Sequence, residues 1–269
     1  MPRNNRTRSF QKSPFGAAVR GQGNFYSDTY NDPVDMWRHS PTGGNQRDVV
    51  GYGLPQRPSV GILPRPPLIW QFKTLYDINP TNVWLPTNTG TGTVLGIPDG
   101  RPGIGRFTNG AADNDFYFYE SVREIARISA TKDIWFITEI KVSDATQSDL
   151  FVGLCARLAS GNLFDNRVDS IGFYSDDGDA YINTECNKDG TATQTEEEGT
   201  LVDDTWIALG FHVVKDAGVE FFIGNKLLYV GNISDNLPDD EEMCVAFGLR
   251  NGEGVAKVFS ATYFYVMQD

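Results

Sequence analysis

From Leu68 onward the chain repeats short apolar runs with β-branched and aromatic residues, separated by Gly, Asn, Asp or Pro every 8–15 residues. Leu68–Phe72 opens the series, and residues 77–114, rich in Asn, Thr, Gly and Pro, read mostly as loop with short strands. Phe116–Tyr119 is strongly β-prone. In Asp133–Val142 the second half alternates, with Ile140 and Val142 on one side and Glu139 and Lys141 on the other. Such alternation marks a strand buried on one face. Leu150–Cys155 reads as a more fully buried strand. Ser170–Tyr174 and Ala180–Asn183 flank Asp176-Asp177-Gly178-Asp179, a hairpin signal. A polar stretch rich in Thr and Glu covers 187–199. Trp206–Val214, Val219–Ile223, Leu227–Val230, Met243–Leu249 and Val258–Val266 complete the strands, with a turn at Gly224-Asn225. Only Ser121–Ile128, with Val122, Ile125 and Ala126 on one side, predicts a short helix. The spacing predicts an all-β sandwich or jelly roll.

Residues 1–67 have no sustained period of 2 or 3.6. They hold nine of the 14 prolines, with nine Lys/Arg against four Asp/Glu, a net of +5. The other 202 residues hold 14 Lys/Arg against 31 Asp/Glu, a net of −17, and the two segments sum to −12. Proline removes backbone donors and biases its predecessor toward extended geometry. The sequence therefore divides into an extended basic arm, 1–67, and a folded domain, 68–269. The arm carries aromatics at intervals, which flexible linkers usually lack. Its expected anchors are Arg3, Arg6, Arg8, Phe10, Lys12, Phe15, Arg20, Phe25, Tyr26, Tyr30 and Trp37.

No apolar stretch is long enough for a membrane-spanning helix, and the basic N-terminal residues lack the apolar core of a secretory signal. The acidic domain disfavours nucleic acid and anionic membrane as partners. Cys155, Cys186 and Cys244 are odd in number and widely spaced. They read as three reduced thiols rather than a disulfide frame or zinc site.

Thr205–Val213 followed by Gly218–Leu227 resembles a signature of the concanavalin A-like (laminin G-like) jelly roll: a Trp opens a strand and a hairpin with a Gly-containing turn follows. Ser260–Val266 is similar to that family's terminal strand, which returns to pair near the first. Asp133–Val142 with Phe151–Leu154 resembles an earlier strand pair. The resemblance covers residues 115–269 and implies a concanavalin A-like β-sandwich. Members include lectins, glycoside hydrolases and virion decoration proteins. A basic arm before an acidic jelly roll further resembles a capsid decoration, or cement, protein of a tailed bacteriophage. That likeness implies the major capsid protein as partner, a homotrimer, and a place on the virion surface after synthesis in the host cytoplasm. The alternative is a carbohydrate-binding or host-receptor-binding module.

Candidate chemistry is sparse. The jelly-roll glucanases carry a Glu-x-Asp-x-x-Glu type strand that puts carboxylates on one face. Here Glu139 is followed by Lys141 and Asp144, an odd separation that sends Glu139 and Asp144 to opposite faces. Only His39 and His212 could serve as the base of a nucleophilic triad. His39 lies in the arm, and His212, between Phe211 and Val213, reads as a solvent-facing or satisfied strand histidine. No phosphate-binding glycine loop occurs. The expectation is therefore no catalysis and no cofactor. Asp176, Asp177 and Asp179, with Tyr174, form the candidate loop for a glycan or for calcium. They lack the interleaved spacing of an EF-hand, as do Asp239–Glu242 and Glu196–Glu198. Asn183 and Asn187 could join Tyr174 and Asp176 in a sugar-binding face.

Overall fold

The computed structural model describes residues 69–72 (backbone pairing only), 83–97, 103–159, 161–215 and 217–268. The arm anchors named above lie outside the described residues. The strands are β1 (Ile69–Phe72), β2 (Trp84–Asn88), β3 (Thr93–Gly96), β4 (Gly105–Thr108), β5 (Phe116–Ser121), β6 (Ala126–Arg127), β7 (Ile134–Val142) and β8 (Ser148–Ala156). They continue with β9 (Ser170–Ser175), β10 (Tyr181–Lys188), β11 (Thr191–Thr200), β12 (Ile207–Val214), β13 (Gly218–Ile223), β14 (Leu228–Ile233), β15 (Glu242–Asn251) and β16 (Val258–Gln268).

These strands form two antiparallel sheets. The first runs β14-β13-β12-β7-β16-β4-β3, with β1 also on β16; the second runs β11-β10-β9-β8-β15-β5-β2, with β6 also on β15. The fold is the expected all-β sandwich. The last strand does return to the first, with Ile69 opposite Met267 and Phe72 opposite Phe264.

Alternation decides which side chains meet between the sheets. Leu150, Val152 and Leu154 of β8 enter the main core, as do Met243, Val245, Phe247 and Leu249 of β15. Facing them from the first sheet come Phe136, Phe211, Phe221, Phe259 and Phe264. Phe247 sits at the hub. Its ring centroid lies 4.9 Å from that of Trp84 and 4.6 Å from that of Phe264. Aromatic packing of this kind adds to the area it removes from water. Tyr119 of β5 stitches the layers together, its hydroxyl accepting from Leu95 N of β3 at 2.7 Å.

Two segments differ from the sequence reading. Ser121–Ile128 forms no helix: Ser121 ends β5, and Ala126 pairs with Met243 of β15. Strand pairing outweighs a weak local helix preference over so few residues. The polar stretch at 187–199, given no element from the sequence, is mostly β11, paired with β10 from Lys188↔Thr191 to Tyr181↔Thr200. Its Thr and Glu residues stand largely in solvent, so no apolar stripe marks it. All three cysteines are free, buried and in strands, as expected.

Candidate functional site

The outer face of the second sheet is where polar chemistry collects. The residues of β8 that alternate with the core set are Asp149, Phe151, Gly153 and Cys155. The register lines up one row across this face: Glu120 of β5, Ala246, Gly153, Gly172, Glu185 of β10 and Gln194 of β11. A carboxylate stands near each end of a floor of small residues.

Half of this face is covered. Leu158, Leu163 and Phe164, from the segment between β8 and β9, pack on Phe116, Phe118, Phe151 and Tyr174. Arg157 ties the segment down by donating to Ser121 O and Val122 O, at 2.9 and 2.8 Å. Leu158 N donates to Glu120 Oε1 at 2.9 Å. At the far end Arg250 holds Asp149 and, at 2.9 Å, Asp165.

Arg167 plugs the centre. Its guanidinium donates to both Glu185 oxygens at 2.7 and 3.0 Å and to the carbonyls of Leu163 and Phe164. It also lies over the Phe151 ring, 4.7 Å from the centroid. Glu185 further accepts from Ser170 Oγ at 2.8 Å and Gln194 Nε2 at 3.3 Å. Burial alone would push the Glu185 carboxyl up, but Arg167 and these two donors together hold it below the usual carboxylate range. Both its oxygens are occupied. Glu120 behaves oppositely: burial pushes its carboxyl up, against the lowering pull of Leu158 N–H and of Arg157. Four interstrand steps separate the two backbones, ~19 Å at the usual strand spacing. Paired glycosidase carboxylates stand about 5–9.5 Å apart.

The exposed part of the sheet is the hairpin end of β9 and β10 together with β11, whereas Tyr174, Asn183 and Glu185 are buried. Tyr174 is opposite Asn183, so Asp176 and Tyr181 follow as the next outward pair beside the hairpin turn. Tyr181 is 40% exposed. Asp176 and Glu196 are exposed near it, while Gln194 is exposed farther along β11, opposite Glu185. Asp176 is pushed up by partial burial and by Asp149 nearby. Asn183 anchors the floor, its Oδ1 accepting from Glu197 N at 2.9 Å where β11 bulges.

The residues singled out from the sequence are therefore only partly together. Tyr174 is buried, 5% exposed, beneath Arg167 rather than offered to solvent. Asp176 and Asp177 are exposed at the hairpin, while half-buried Asp179 accepts from Tyr181 N at 2.9 Å. Asp177 N donates to Asp149 Oδ1 at 2.7 Å, and the left-handed Gly178 (φ 105°) closes the turn. Asn187 is buried and donates to Arg167 O at 2.9 Å, within the covered part. Among the described residues no group of three or more His, Cys, Asp or Glu is arranged to hold a metal ion. Asp239 and Asp240 instead surround Lys188. Sequence reasoning missed Tyr181, whose signal was its place two residues after Asp179 in the hairpin.

The other candidates are structural. Glu139 is on the first sheet and accepts from Thr262 Oγ1 at 2.9 Å, while Asp144 pairs with buried Lys257. His212 is half-buried in its strand, and its Nε2 is buried without a hydrogen-bond partner among the described residues. It stacks on Trp135 with centroids 3.5 Å apart, its Nδ1 3.4 Å from Glu220 and its Nε2 3.3 Å from Asp133.

No protein-family model and no curated protein matches the chain by sequence. Solved structures do match by shape. A prokaryotic β-1,3-1,4-glucanase (lichenase) derived from a mouse hindgut metagenome superposes with a TM-score of 0.51 at 10% identity, over 74% of this chain and 98% of that one. A Lotus tetragonolobus seed lectin gives 0.50 at 9% identity, over 75% and 98%. The metal-free carbohydrate recognition domain of Emp46p gives 0.50 at 8% identity, over 73% and 94%. The fold is thus that of the concanavalin A-like lectins and glucanases, the class that the Trp206 strand and its hairpin imply.

Proposed function

We propose that the domain is a carbohydrate-binding, lectin-like module that acts without catalysis. The observation that carries this reading is the exposed hairpin end of β9 and β10 beside β11. There an exposed tyrosine ring, Tyr181, stands beside the exposed carboxylates Asp176 and Glu196 above a fixed floor. A flat aromatic surface beside hydrogen-bonding groups fits a sugar, which offers apolar C–H faces and a rim of hydroxyls. The filled Glu185 carboxylate supports binding over hydrolysis, because it has no oxygen left to move a proton. The lectin and glucanase likeness adds fold-level analogy only.

Glycan-array screening followed by calorimetry tests the reading. Tyr181→Ala should weaken the best glycan about tenfold, equivalent to about 1.4 kcal/mol, and Asp176→Asn should also weaken it. Unchanged affinity in both variants, or no glycan bound by the full chain, removes the proposal.

A second reading rests on a different observation, the charge split between residues 1–67 and the rest. It takes the chain as a capsid decoration protein, with a basic arm clamping an acidic shell and a homotrimeric jelly roll displayed outside. Glycan binding would then be what the displayed domain does. Cosedimentation with purified capsids, with and without residues 1–67, separates this from a free lectin.

A further inference from the structure

Tyr174 of β9 is buried, yet its hydroxyl makes no hydrogen bond among the described residues. A buried phenol normally finds a partner. Its surroundings say what is missing. Tyr174 is opposite Asn183 of β10, and Asn183 faces the bulge of β11 that holds Glu196. Burial first, then Asp176, Glu185 and Glu196, push the phenol up, against the lowering pull of Arg167. The hydroxyl therefore lies in the field of three acids and one cation. That cation is committed, because Arg167 donates to both oxygens of Glu185. Asp176 and Glu196 make neither an ion pair nor a side-chain hydrogen bond among the described residues.

Two unpaired carboxylates and one unpaired hydroxyl call for a group with positive charge and several donors. A primary ammonium has three donors and no acceptor, one for each of these oxygens. The acids are not grouped to hold a metal ion among the described residues, which leaves an organic cation. The exposed ring of Tyr181 stands beside them and offers a flat face to a pyranose. We infer that this site selects sugars with a free amine, glucosamine-type units whose ammonium is held by Asp176, Glu196 and the Tyr174 oxygen while the sugar ring lies on Tyr181. The inference rests on the glycan reading and gives that site its ligand class.

Charge then sets specificity. Acetylating the amine removes the charge and two of its three donors. A uronic acid meets Asp176 and Glu196 with no cation free to receive it. A bound ammonium would also relieve Asp176, whose carboxyl is pushed up by burial and by Asp149.

Calorimetry on the full chain compares a β-1,4-linked glucosamine tetramer, its N-acetylated counterpart and a uronic acid tetramer. Salt at about 0.15 M screens the general attraction of an acidic protein for cations. The amine form should bind about tenfold more tightly than the acetylated form, and the uronic acid should not bind. Asp176→Asn and Glu196→Gln should each reduce the preference about fivefold. Tyr174→Phe changes no charge and should also reduce it, without lowering the melting temperature, because the hydroxyl supports nothing in the fold. Glu241→Gln, at an exposed acid outside the site, should leave it unchanged. Equal binding of the amine and acetylated forms, or a preference indifferent to Tyr174→Phe, would overturn the inference. Binding of a neutral glycan that Tyr181→Ala weakens would then leave the glycan reading standing, whereas no sugar bound at all removes both.

Discussion

At the scale of single residues, the Arg167–Glu185 pair governs how the covered half of the second sheet behaves. Glu185 is 1% exposed, and removing its partner would strand a buried charge. Arg167→Ala should therefore cost about 3–5 kcal/mol in chemical denaturation at pH 7. The pH dependence has a definite sign. The folded carboxyl of Glu185 lies below its unfolded value, so its contribution is present above pH ~4.5. That contribution is lost as pH falls through the folded value. A Glu185→Gln chain should lack this part of the acid destabilisation. Equal acid sensitivity in the Glu185→Gln and native chains would contradict the assignment. The sequence showed none of this pairing, because Arg167 and Glu185 meet only through the register of β9 on β10 and the path of the preceding segment. It did show the hairpin, since Asp-Gly turn chemistry is local. It could not show that Tyr174 points under Arg167 while Tyr181 points out, because alternation tells two faces apart but not which stretch of a face is covered.

At the scale of elements, strands with one apolar stripe were legible and strands without one were not. The alternation of Glu139-Ile140-Lys141-Val142 survives as two buried residues between half-buried ones. β11 escaped because both its faces are wet, so an edge strand of Thr and Glu looks like a loop until its partner is known. The helix expected at Ser121–Ile128 failed for the converse reason: its three apolar positions serve strand contacts and loop packing. β11 also holds backbone strain, with Glu197 at φ 59°. A side chain there carries about 1–2 kcal/mol of steric cost that glycine avoids. Glu197→Gly should leave the melting temperature unchanged or raise it. Glu197→Val, β-branched at the same angle, should lower it by a few degrees, as about 1–2 kcal/mol does in a domain of this size. A loss on Glu197→Gly equal to that on Glu197→Val would show that the Glu197 side chain matters more than its backbone angle.

At the scale of the whole molecule, the sandwich was legible and its topology was not. Strand count, spacing and the Trp206 hairpin all pointed to a jelly roll, and shape comparison gives the same class at about one residue in ten identical. Nothing local says which strands become neighbours. In both sheets that order has one peculiarity. β15 stands between β8 and β5, and β16 between β7 and β4, so the strands before β7 join the rest only through these two. A ribosome makes β15 and β16 after every other strand. Until Glu242–Gln268 emerges, each half-sheet holds an unpaired central edge and bare aromatics such as Tyr119 and Phe136. Folding of the sandwich then waits for these two strands rather than proceeding strand by strand, and until they emerge the chain is a client for whatever chaperone binds exposed strands.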